Sequence, residues 1–417
     1  MRPISSSGKS IFKNLVMLYG LSIAKIVFPL ITLPYFTRVL STDTYGAVAY
    51  VKSTMQYMQL AIDFGFMLSG TKDIVKVREN MEAVGRITSD ILGARILLGV
   101  ISANILLVIS IIIPLLRANF LYSLLSFIPV FLSIFLFDYL FRGIERMEII
   151  TIRFVIMRGI STLLTFFLVK KDADILWIPV LDILGSVLAV ILVIKQVRNL
   201  GIAISMPRWR EALAKLKEST TYFVSNMATT AFGAFNTMLV GIILPASDVA
   251  YWSVSMQLIG AVQTLYSPIT DGVYPEMVKT KKLKYIKTIL TIFMPIIVVG
   301  CVFSILMAKP ILVIVGGRQY SGATAVFRML VPVLFFCFPA MLLGWPTLGA
   351  IEKAKEVTKT TLITAIIQVA GLGVLAITGN FTLVHIAILR VATEFLLFLT
   401  RVYYTMKFRR CFNYNYM

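Results

Sequence analysis

The sequence predicts an all-α polytopic membrane protein with about 12 transmembrane helices. Of its 417 residues, 58% are hydrophobic and only 14% are charged, and the mean hydropathy is +0.87. A soluble domain of this size does not have such a composition. Apolar runs of about 20 residues, the length needed to cross a bilayer core of roughly 30 Å, recur between short polar junctions. Several runs are too long and irregular for transmembrane strands, so we expect helices.

Twelve such runs define the predicted transmembrane helices, in two sets of six. Residues 198–219 separate the two sets. They include most of the amphipathic basic stretch "MPRWREALAKLKEST". We expect this linker to lie on the inner membrane surface and to join an N-terminal bundle, residues 1–197, to a C-terminal bundle, residues 220–417. The predicted helices lie near residues 12–37, 45–67, 87–113, 120–141, 149–169, 175–197, 220–244, 247–274, 285–308, 326–349, 356–378 and 382–405.

Charge in the junctions predicts the orientation of the chain. The N-terminus and every second junction carry most of the Lys and Arg residues, and we count Arg153 and Arg401 among them, whereas the alternate junctions carry few. By the positive-inside rule, we expect both termini to be cytoplasmic. The net charge of +20 reflects this bias, so we expect no nucleic-acid partner. The first apolar run is too long for a signal-peptide core and is expected to be an uncleaved helix.

The sequence contains no pattern typical of an enzyme or a metal site. Cys301, Cys337 and Cys411 are scattered without metal or disulfide spacing, and His385 is the only histidine. The letters of the kinase magnesium motif occur at residues 63–65, but the Gly-rich loop, strand lysine and catalytic loop that a kinase needs do not precede them. The junctions on the outer face are short. We therefore predict no catalytic residues, no metal and no cofactor.

Polar side chains line one face of the second predicted helix. Tyr45, Lys52, Gln56, Gln59 and Asp63 fall within a sector of about 60° at 100° per residue. Charged groups at membrane depth are costly and mark interior or water-filled paths. We expect Gln56 and Gln59 to line a polar cavity, and Asp63 to lie near its cytoplasmic end.

Further cations lie inside other predicted helices of the first half. Lys25 shares a face of the first helix with Pro29, while Arg95 and Arg158 lie in the third and fifth helices. A path that is cationic on one side suits an anionic head group such as a pyrophosphate. The alternatives are that the lysines snorkel, that Arg95 pairs with a nearby carboxylate, Asp63 or Asp138, and that the polar stripes join helices without any cavity.

The second half repeats this plan with neutral polar groups. Its seventh and eighth helices each present hydroxyl and amide side chains on one face, and "DGVY" at 271–274 resembles "DFGF" at 63–66. Six helices repeated as six is the layout of transporters whose halves rock about a central site. Arg390 and Glu394 lie one turn apart and are expected to pair. The predicted cavity-lining residues of this half are Ser225, Thr229, Asn236, Gln257 and Thr264, and the candidates for ion coupling or gating are Asp63, Asp271, Arg390 and Glu394.

Several stretches of the chain resemble the Wzx-type O-antigen flippases, the polysaccharide transporter branch of the multidrug/oligosaccharidyl-lipid/polysaccharide (MOP) exporter superfamily. The resemblance covers most of the chain and is strongest in the first 160 residues. In the similar stretch at residues 137–153, Arg142 occupies the position at which the family usually has Gln. The similar stretches are "LPYFTRVLSTDTYG" (33–46), "QYMQLAIDFGFMLSGTKDIVKVR" (56–78), "FDYLFRGIERMEIITIR" (137–153), "VYPEM" (273–277) and "GWPTLGAIEKAK" (344–355).

The resemblance implies two six-helix bundles around a central cavity that opens alternately to either side. It implies an oligosaccharide on undecaprenyl pyrophosphate as substrate, with the lipid tail in the bilayer and other polysaccharide assembly proteins as further partners. Because the chain has no phosphate-binding Gly-x-x-x-x-Gly-Lys loop, a proton or sodium gradient is the expected energy source. On this view Asp63 is a counter-ion or gate, and the residues that bind pyrophosphate or acidic sugar are Lys25, Arg38, Lys52, Arg95 and Arg158.

Two other functions remain open at this stage. A multidrug exporter of the same superfamily would use the same fold, but exporters of cationic drugs need acidic cavities, and this path is basic. A membrane glycan polymerase would need a large outer loop with catalytic Arg or His, and the outer junctions are too short for one.

Overall fold

The computed structural model describes residues 8–230 and 235–412, and within these ranges the chain is helical and contains no strand. Nine helical stretches in the described ranges are long and apolar enough to cross a membrane. They match nine of the twelve predicted helices. The nine are Val16–Val39, Met81–Ile112, Phe120–Gly143, Met147–Leu168, Asp172–Asn199, Leu283–Leu306, Pro332–Ile351, Ala354–Ile377 and Leu383–Lys407.

The other three predicted helices are also helical where the structure describes them. The second is broken near Gly65 and the eighth near Leu265. The seventh includes residues 231–234, which lie outside the described ranges. The prediction of a polytopic all-α protein is confirmed.

The chain forms two compact units, Met1–Met227 and Ala228–Met417. The residues of the predicted linker are packed into the first unit, so the division falls inside a helix and after the linker. The helices of the first unit are α1 Gly8–Val39, α2 Thr42–Asp63, α3 Phe66–Val77, α4 Met81–Ile112, α5 Pro114–Ala118, α6 Phe120–Leu132, α7 Asp138–Gly143, α8 Met147–Leu168, α9 Trp177–Asn199 and α10 Trp209–Thr230, whose last residues enter the second unit.

The second unit continues with nine further helices. Its membrane-crossing segment Pro332–Ile351 contains an α-helix, a π-helical turn at Leu343–Leu348 and a short 3-10 turn. The helices are α11 Asn236–Ile243, α12 Ala246–Thr264, α13 Ser267–Thr280, α14 Leu283–Leu306, α15 Ala308–Gly316, α16 Thr324–Leu330, α17 Pro332–Leu342, α18 Ala354–Ile377 and α19 Leu383–Lys407.

Local sequence explains where several helices begin. Ser41 precedes α2 in an extended conformation, and its hydroxyl accepts a hydrogen bond from the Thr44 N–H. The Asn80 side chain does the same for α4, and the Thr382 hydroxyl for α19. Each cap satisfies an N–H group that has no partner inside its own helix.

Each unit has its own apolar core. In the first unit the core lies where α3, α4 and α7 meet, and Phe66, Ile91 and Phe141 are almost fully buried there. In the second unit, Met277 of α13 and Leu342 of α17 pack in a separate core. Most other large apolar side chains on the long helices are exposed, as expected of surfaces that face lipid.

The α2–α3 break results from the motif that resembles a kinase signature. Phe64 and Gly65 both adopt the left-handed conformation, with φ of 39° and 80°. A Cβ atom on Gly65 would lie 2.6 Å from the Cβ of Tyr222 in α10. Glycine is therefore required both by its backbone angle and by the close approach of α10. Residues 63–65 form a helix break with Asp63 as the last residue of α2.

Candidate functional site

Asp63 is the partner of a buried arginine. Nη2 of Arg95, on α4, lies 2.8 Å from Oδ1 of Asp63. The amide of Gln59 donates to the other Asp63 oxygen at 2.9 Å and to the Ser133 hydroxyl at 3.0 Å. The Arg95 side chain is 6% exposed and that of Asp63 41% exposed. The structure therefore shows the pairing that the sequence left as an alternative, with the carboxylate still accessible from one side.

Arg95 also binds the backbone of a broken helix. The chain leaves the α-helical conformation between α6 and α7, where Phe137 has a φ of 49°. Arg95 donates to the carbonyl of Ile134 at 3.1 Å, and Arg153 donates to that of Leu136 at 3.0 Å. Carbonyls freed by a break at membrane depth need such donors. Arg95 is thus a structural group of the first unit.

Arg153 was counted from the sequence as a cytoplasmic junction charge. The structure corrects this placement, because Arg153 lies in α8, is 5% exposed and pairs with Asp138 at 2.7 Å. Asp138 lies in α7 and Arg153 lies 15 residues later in α8. Their pairing therefore follows from the packing of two helices and not from spacing within one helix. The two arginines therefore hold one helix break from two sides.

A second charged cluster joins α2, α8 and α9. Nη1 of Arg158 lies 2.8 Å from Oδ1 of Asp182, and the Ser161 hydroxyl donates to the same oxygen at 2.8 Å. The Arg158 side chain is 42% exposed and that of Asp182 is 29% exposed. Lys52 is exposed and interacts electrostatically with both members of the pair. This cluster keeps cationic groups accessible, in contrast to Arg95 and Arg153.

Asp182 was not predicted from the sequence to be a functional residue. It is a single carboxylate inside an otherwise apolar predicted helix, in "IPVLDILG". An isolated carboxylate at membrane depth is itself a signal of function or pairing. That signal identifies the residue but not its partner on another helix.

Lys25 and Arg38 lie on α1, which packs against α8. The Lys25 ammonium is exposed and stands 5.9 Å from the ring centre of Phe154, one turn before Arg158 on α8. Arg38 is exposed in the last turn of α1. Three of the five predicted binding cations, Lys25, Lys52 and Arg158, thus lie beside the same stretch of α8.

The second unit contains a buried chain of polar groups. The Gln368 amide donates to Asn236 Oδ1 at 3.0 Å, and the Thr393 hydroxyl donates to Gln368 Oε1 at 2.6 Å. Arg390 and Glu394 pair at 2.6 Å with 7% and 5% exposure, as their spacing predicts. These side chains are sealed from solvent within the second unit. Asn236 was predicted as a polar residue of this half, whereas Gln368 and Thr393, which extend the chain of hydrogen bonds from it, were not.

The helix break of the second unit is also held by an arginine. Pro346 has no N–H, and the Leu342 carbonyl accepts from the Thr347 hydroxyl at 2.8 Å instead. Arg401 donates to the Ala340 carbonyl at 2.6 Å. Arg401 was counted from the sequence as a cytoplasmic charge, but it is buried and structural. Each unit therefore has a broken helix whose freed carbonyls are bound by an arginine from another helix.

The remaining predicted positions have varied settings. Gln56 is exposed on α2, and Gln257 is partly buried on α12. Thr264 donates to the Gly260 carbonyl at 2.7 Å, a bond within its own helix. The side chains of Ser225, Thr229 and Asp271 lie outside the described part of the chain. Among the described residues, no group of three His, Cys, Asp or Glu side chains could hold a metal ion.

Comparisons with known proteins agree on one family and one fold. Residues 11–281 match the family described as polysaccharide biosynthesis protein. A candidate O-antigen transporter of Escherichia coli (strain K12) is 24% identical over 396 residues, which is 92% of this chain and 94% of that protein. Among solved structures, the lipid II flippase MurJ in an inward closed conformation has a TM-score of 0.73 at 12% identity, covering 95% of this chain and 87% of MurJ.

A second solved structure shows the same fold. An inward-facing multidrug resistance MATE family transporter of the MOP superfamily has a TM-score of 0.68 at 13% identity, covering 94% of this chain and 98% of that chain. At such identities the likeness establishes the architecture alone, which is that of a polytopic α-helical membrane protein.

Proposed function

The chain belongs to the polysaccharide biosynthesis protein family, and we propose that it translocates undecaprenyl-pyrophosphate-linked O-antigen or polysaccharide repeat units across the bacterial inner membrane. Transport runs from the cytoplasmic to the periplasmic leaflet by alternating access, with both termini in the cytoplasm. Its similarity to an O-antigen transporter over most of both chains supports this substrate class. The structural likeness to a lipid II flippase supports a lipid-linked substrate.

The observation that supports the proposal best is the cluster of Lys52, Arg158 and Asp182. An exposed Arg–carboxylate pair with a second cation beside it can exchange one anion for another. A substrate phosphate replaces Asp182 on Arg158, while Lys52 binds a second phosphate oxygen. Asp182 and Ser161 keep Arg158 positioned when the path is empty.

Lys25 and Arg38 extend the cationic surface along α1. Lys25 lies near the same turn of α8 as Arg158, so a pyrophosphate or acidic sugar leaving Arg158 meets a second cation. Arg38 lies about 20 Å further along α1, as 13 residues at 1.5 Å each. We assign both residues to the passage of the head group, with the lipid tail remaining in the bilayer.

Arg95 is assigned a positioning role instead of substrate binding, because it is almost fully buried and is bound to Asp63 and the Ile134 carbonyl. Asp63 is the group we assign to ion coupling or gating. Its side chain is 41% exposed, whereas Glu394 is 5% exposed, so a proton or sodium ion reaches Asp63 more readily. Binding of that ion weakens the bond to Arg95 at the helix break.

The rival function is an ion-coupled multidrug exporter, since a multidrug transporter shares the fold. The exposed side of the charged cluster carries Lys52 and Arg158, which repel cationic drugs. A basic surface favours the anionic, lipid-linked substrate over this alternative.

The decisive experiment depletes the protein in its parent bacterium and measures on which leaflet the undecaprenyl-pyrophosphate oligosaccharide accumulates. We expect accumulation on the cytoplasmic face, relieved by the wild-type chain. Lys52→Gln and Arg158→Gln should relieve it at least tenfold less well, since each removes a charge-assisted bond of about 1.5–3 kcal/mol. Arg117→Gln, which removes an exposed cation of the short helix α5, is the matched control and should relieve it fully.

If the glycan neither accumulates nor changes leaflet, the flippase assignment fails and the exporter becomes the better hypothesis. If it accumulates but Lys52→Gln and Arg158→Gln rescue as well as wild type, the function stands and the proposed path is wrong. Expression levels of all variants are measured in the same membranes, so that loss of protein is not mistaken for loss of transport.

A further inference from the structure

Residues 202–219, here called the strap, comprise the segment between α9 and α10 and the first half of α10, and they pack within the first unit. The chain turns at Gly201, whose φ is 70°, and residues 202–208 have no regular secondary structure before α10 begins at Trp209. Ile202 and Ala212 are 4% and 1% exposed, so one side of the strap is buried. The strap is thus a docked element of the protein with an inner and an outer side.

Small residues on α4 allow the strap to dock. Gly85, Ser89 and Gly93 recur every four residues and therefore share one face of the helix. A Cβ on Gly85 would lie 2.3 Å from the Ala203 carbonyl oxygen, and one on Gly93 would lie 2.5 Å from the Cβ of Pro207. The non-helical part of the strap therefore lies directly on the surface of α4.

Hydrogen bonds and ion pairs fix the inner side. The Ser205 N–H donates to the Ser89 hydroxyl at 2.9 Å. The Arg208 backbone N–H and guanidinium both donate to Asp90, whose side chain is 4% exposed. Further along, the Lys215 ammonium lies 2.6 Å from Asp73 of α3. Asp90 is therefore almost fully buried and pairs with a cation of the strap.

The charge on the inner side persists over the physiological pH range. Burial by itself lowers the pKa of Lys215, but its hydrogen bonds to Asp73 and Glu218 outweigh burial and raise the pKa above 10.5. A lysine whose pKa is raised on folding contributes stability at all pH values below its unfolded pKa, and loses that contribution only as the pH rises through the folded value. The ion pair of Lys215 with Asp73 therefore keeps its cationic member charged at neutral pH.

The outer side of the strap is apolar and basic. Met206, Trp209 and Leu213 are 91%, 55% and 54% exposed. The exposed cations Arg210 and Lys217 flank them. The strap as a whole carries four Lys and Arg residues and two carboxylates, Glu211 and Glu218, so its net charge is positive. Apolar side chains with a Trp and flanking cations match the border between lipid headgroups and acyl chains.

The level of the strap along α4 agrees with such a location. Gly93, beside Pro207, lies 19 residues before Ile112 at the opposite end of α4, or about 28 Å along the helix axis. This distance equals roughly the thickness of the hydrocarbon core. Large exposed apolar residues on α4, such as Ile105 and Val108, lie between these two levels. The strap therefore lies where the hydrocarbon region ends.

We propose that the outer side of the strap binds anionic phospholipids of the inner leaflet. Trp209 and Leu213 enter the boundary between headgroups and acyl chains, and Arg210 and Lys217 bind lipid phosphates. The inner side transmits this attachment to α3 and α4 through Asp73 and Asp90. Each Lys or Arg near an anionic membrane surface raises the equilibrium constant for attachment to that surface about fivefold. The proposal does not depend on the transported substrate.

The test uses the full-length chain in nanodiscs that contain phosphatidylglycerol and phosphatidylcholine, with bromine on the acyl chains of one lipid at a time. Brominated chains quench tryptophan fluorescence on contact. The Trp209 signal is the difference between wild type and Trp209→Phe, because the chain has 4 tryptophans. We expect at least twofold stronger quenching of Trp209 when the bromine is on phosphatidylglycerol. The double variant Arg210→Gln, Lys217→Gln should lose this preference, whereas Arg117→Gln should keep it.

Three outcomes overturn the proposal. Equal quenching by both brominated lipids means that the strap has no preference for anionic lipid. Quenching by aqueous iodide alone means that its outer side faces water. Protection from both iodide and brominated lipid means that another protein surface covers it, with a second copy of this chain the first to examine by cross-linking. Because this measurement needs no transport, its failure leaves the flippase hypothesis intact, and failure of that hypothesis leaves this result intact.

Discussion

Arg95 and Arg158 are both intramembrane cations with carboxylate partners, but their exposure differs, at 6% and 42% of the side chain. The buried one satisfies two fixed protein groups and has little remaining capacity for a ligand. The accessible one shares a carboxylate with Ser161 and lies near Lys52. Exposure, more than charge, therefore separates the residues that hold the helices from those that we assign to substrate.

This difference predicts opposite effects on stability. Arg95→Ala leaves Asp63 unpaired and the Ile134 carbonyl without its donor, and should lower the free energy of unfolding by about 3 kcal/mol. Lys52→Ala removes an exposed cation and should change it by less than about 0.5 kcal/mol. Thermal unfolding of the purified variants in detergent measures both effects. Equal melting temperatures for the two variants would contradict the structural role of Arg95.

Broken helices are the elements that organise both units. In each, a transmembrane segment departs from α-helical geometry, and an arginine from a different helix binds the freed carbonyl. Paired breaks of this kind give a transporter points at which a helix can bend without losing its backbone hydrogen bonds.

The break in the second unit should not tolerate a side chain on Gly344. Its ψ of −115° is not helical, and a Cβ there would lie 2.8 Å from Nη1 of Arg401. Gly344→Ala should therefore destabilise the protein by about 1–3 kcal/mol. Gly373→Ala, on α18 with open space around it, is the matched control and should leave stability unchanged or raise it by up to about 1 kcal/mol. Melting temperatures in detergent compare the two variants.

The break between α2 and α3 gives a second prediction for an element. Gly65→Ala places a side chain at a φ of 80° and against the backbone of Phe223, so we expect a loss of at least about 2 kcal/mol and reduced glycan transport. Gly260→Ala, a helical position with nothing nearby, should have neither effect. A fully stable, active Gly65→Ala would show that the break can form without glycine.

At the scale of the whole molecule, the distribution of charge predicts cytoplasmic termini. Cys411 is exposed near the C-terminus, while Cys301 and Cys337 are buried, so a native thiol reports on that side. A membrane-impermeant maleimide should label Cys411 only after the inner membrane of spheroplasts is permeabilised.

The control for this labelling is Lys170→Cys in a Cys411→Ser background. Lys170 is exposed in the junction between α8 and α9, which is predicted to be periplasmic, and its replacement should be labelled in intact spheroplasts. Labelling of Cys411 in intact spheroplasts would reverse the proposed orientation.

Composition and charge by themselves determined the class of this protein: its apolar runs, its helical state and its family resemblance were all readable from the chain. These properties are local, because a window of about 20 residues decides whether a segment can cross a bilayer. The Arg390–Glu394 pair was also predictable, since one helical turn separates its members. The same local reasoning counted Arg153 and Arg401 as junction charges, whereas both side chains are buried within helices.

Only the tertiary structure decided which cations are paired and which are accessible. Asp63 and Arg95 are 32 residues apart, Arg158 and Asp182 are 24 apart, and Arg401 is 61 residues from the carbonyl that it binds. The sequence shows that each of these groups lies within an apolar run. It does not show which group on another helix is its partner. Their partners are set by how separate helices pack, and that packing determines whether a cation holds a helix in place or remains accessible to a ligand.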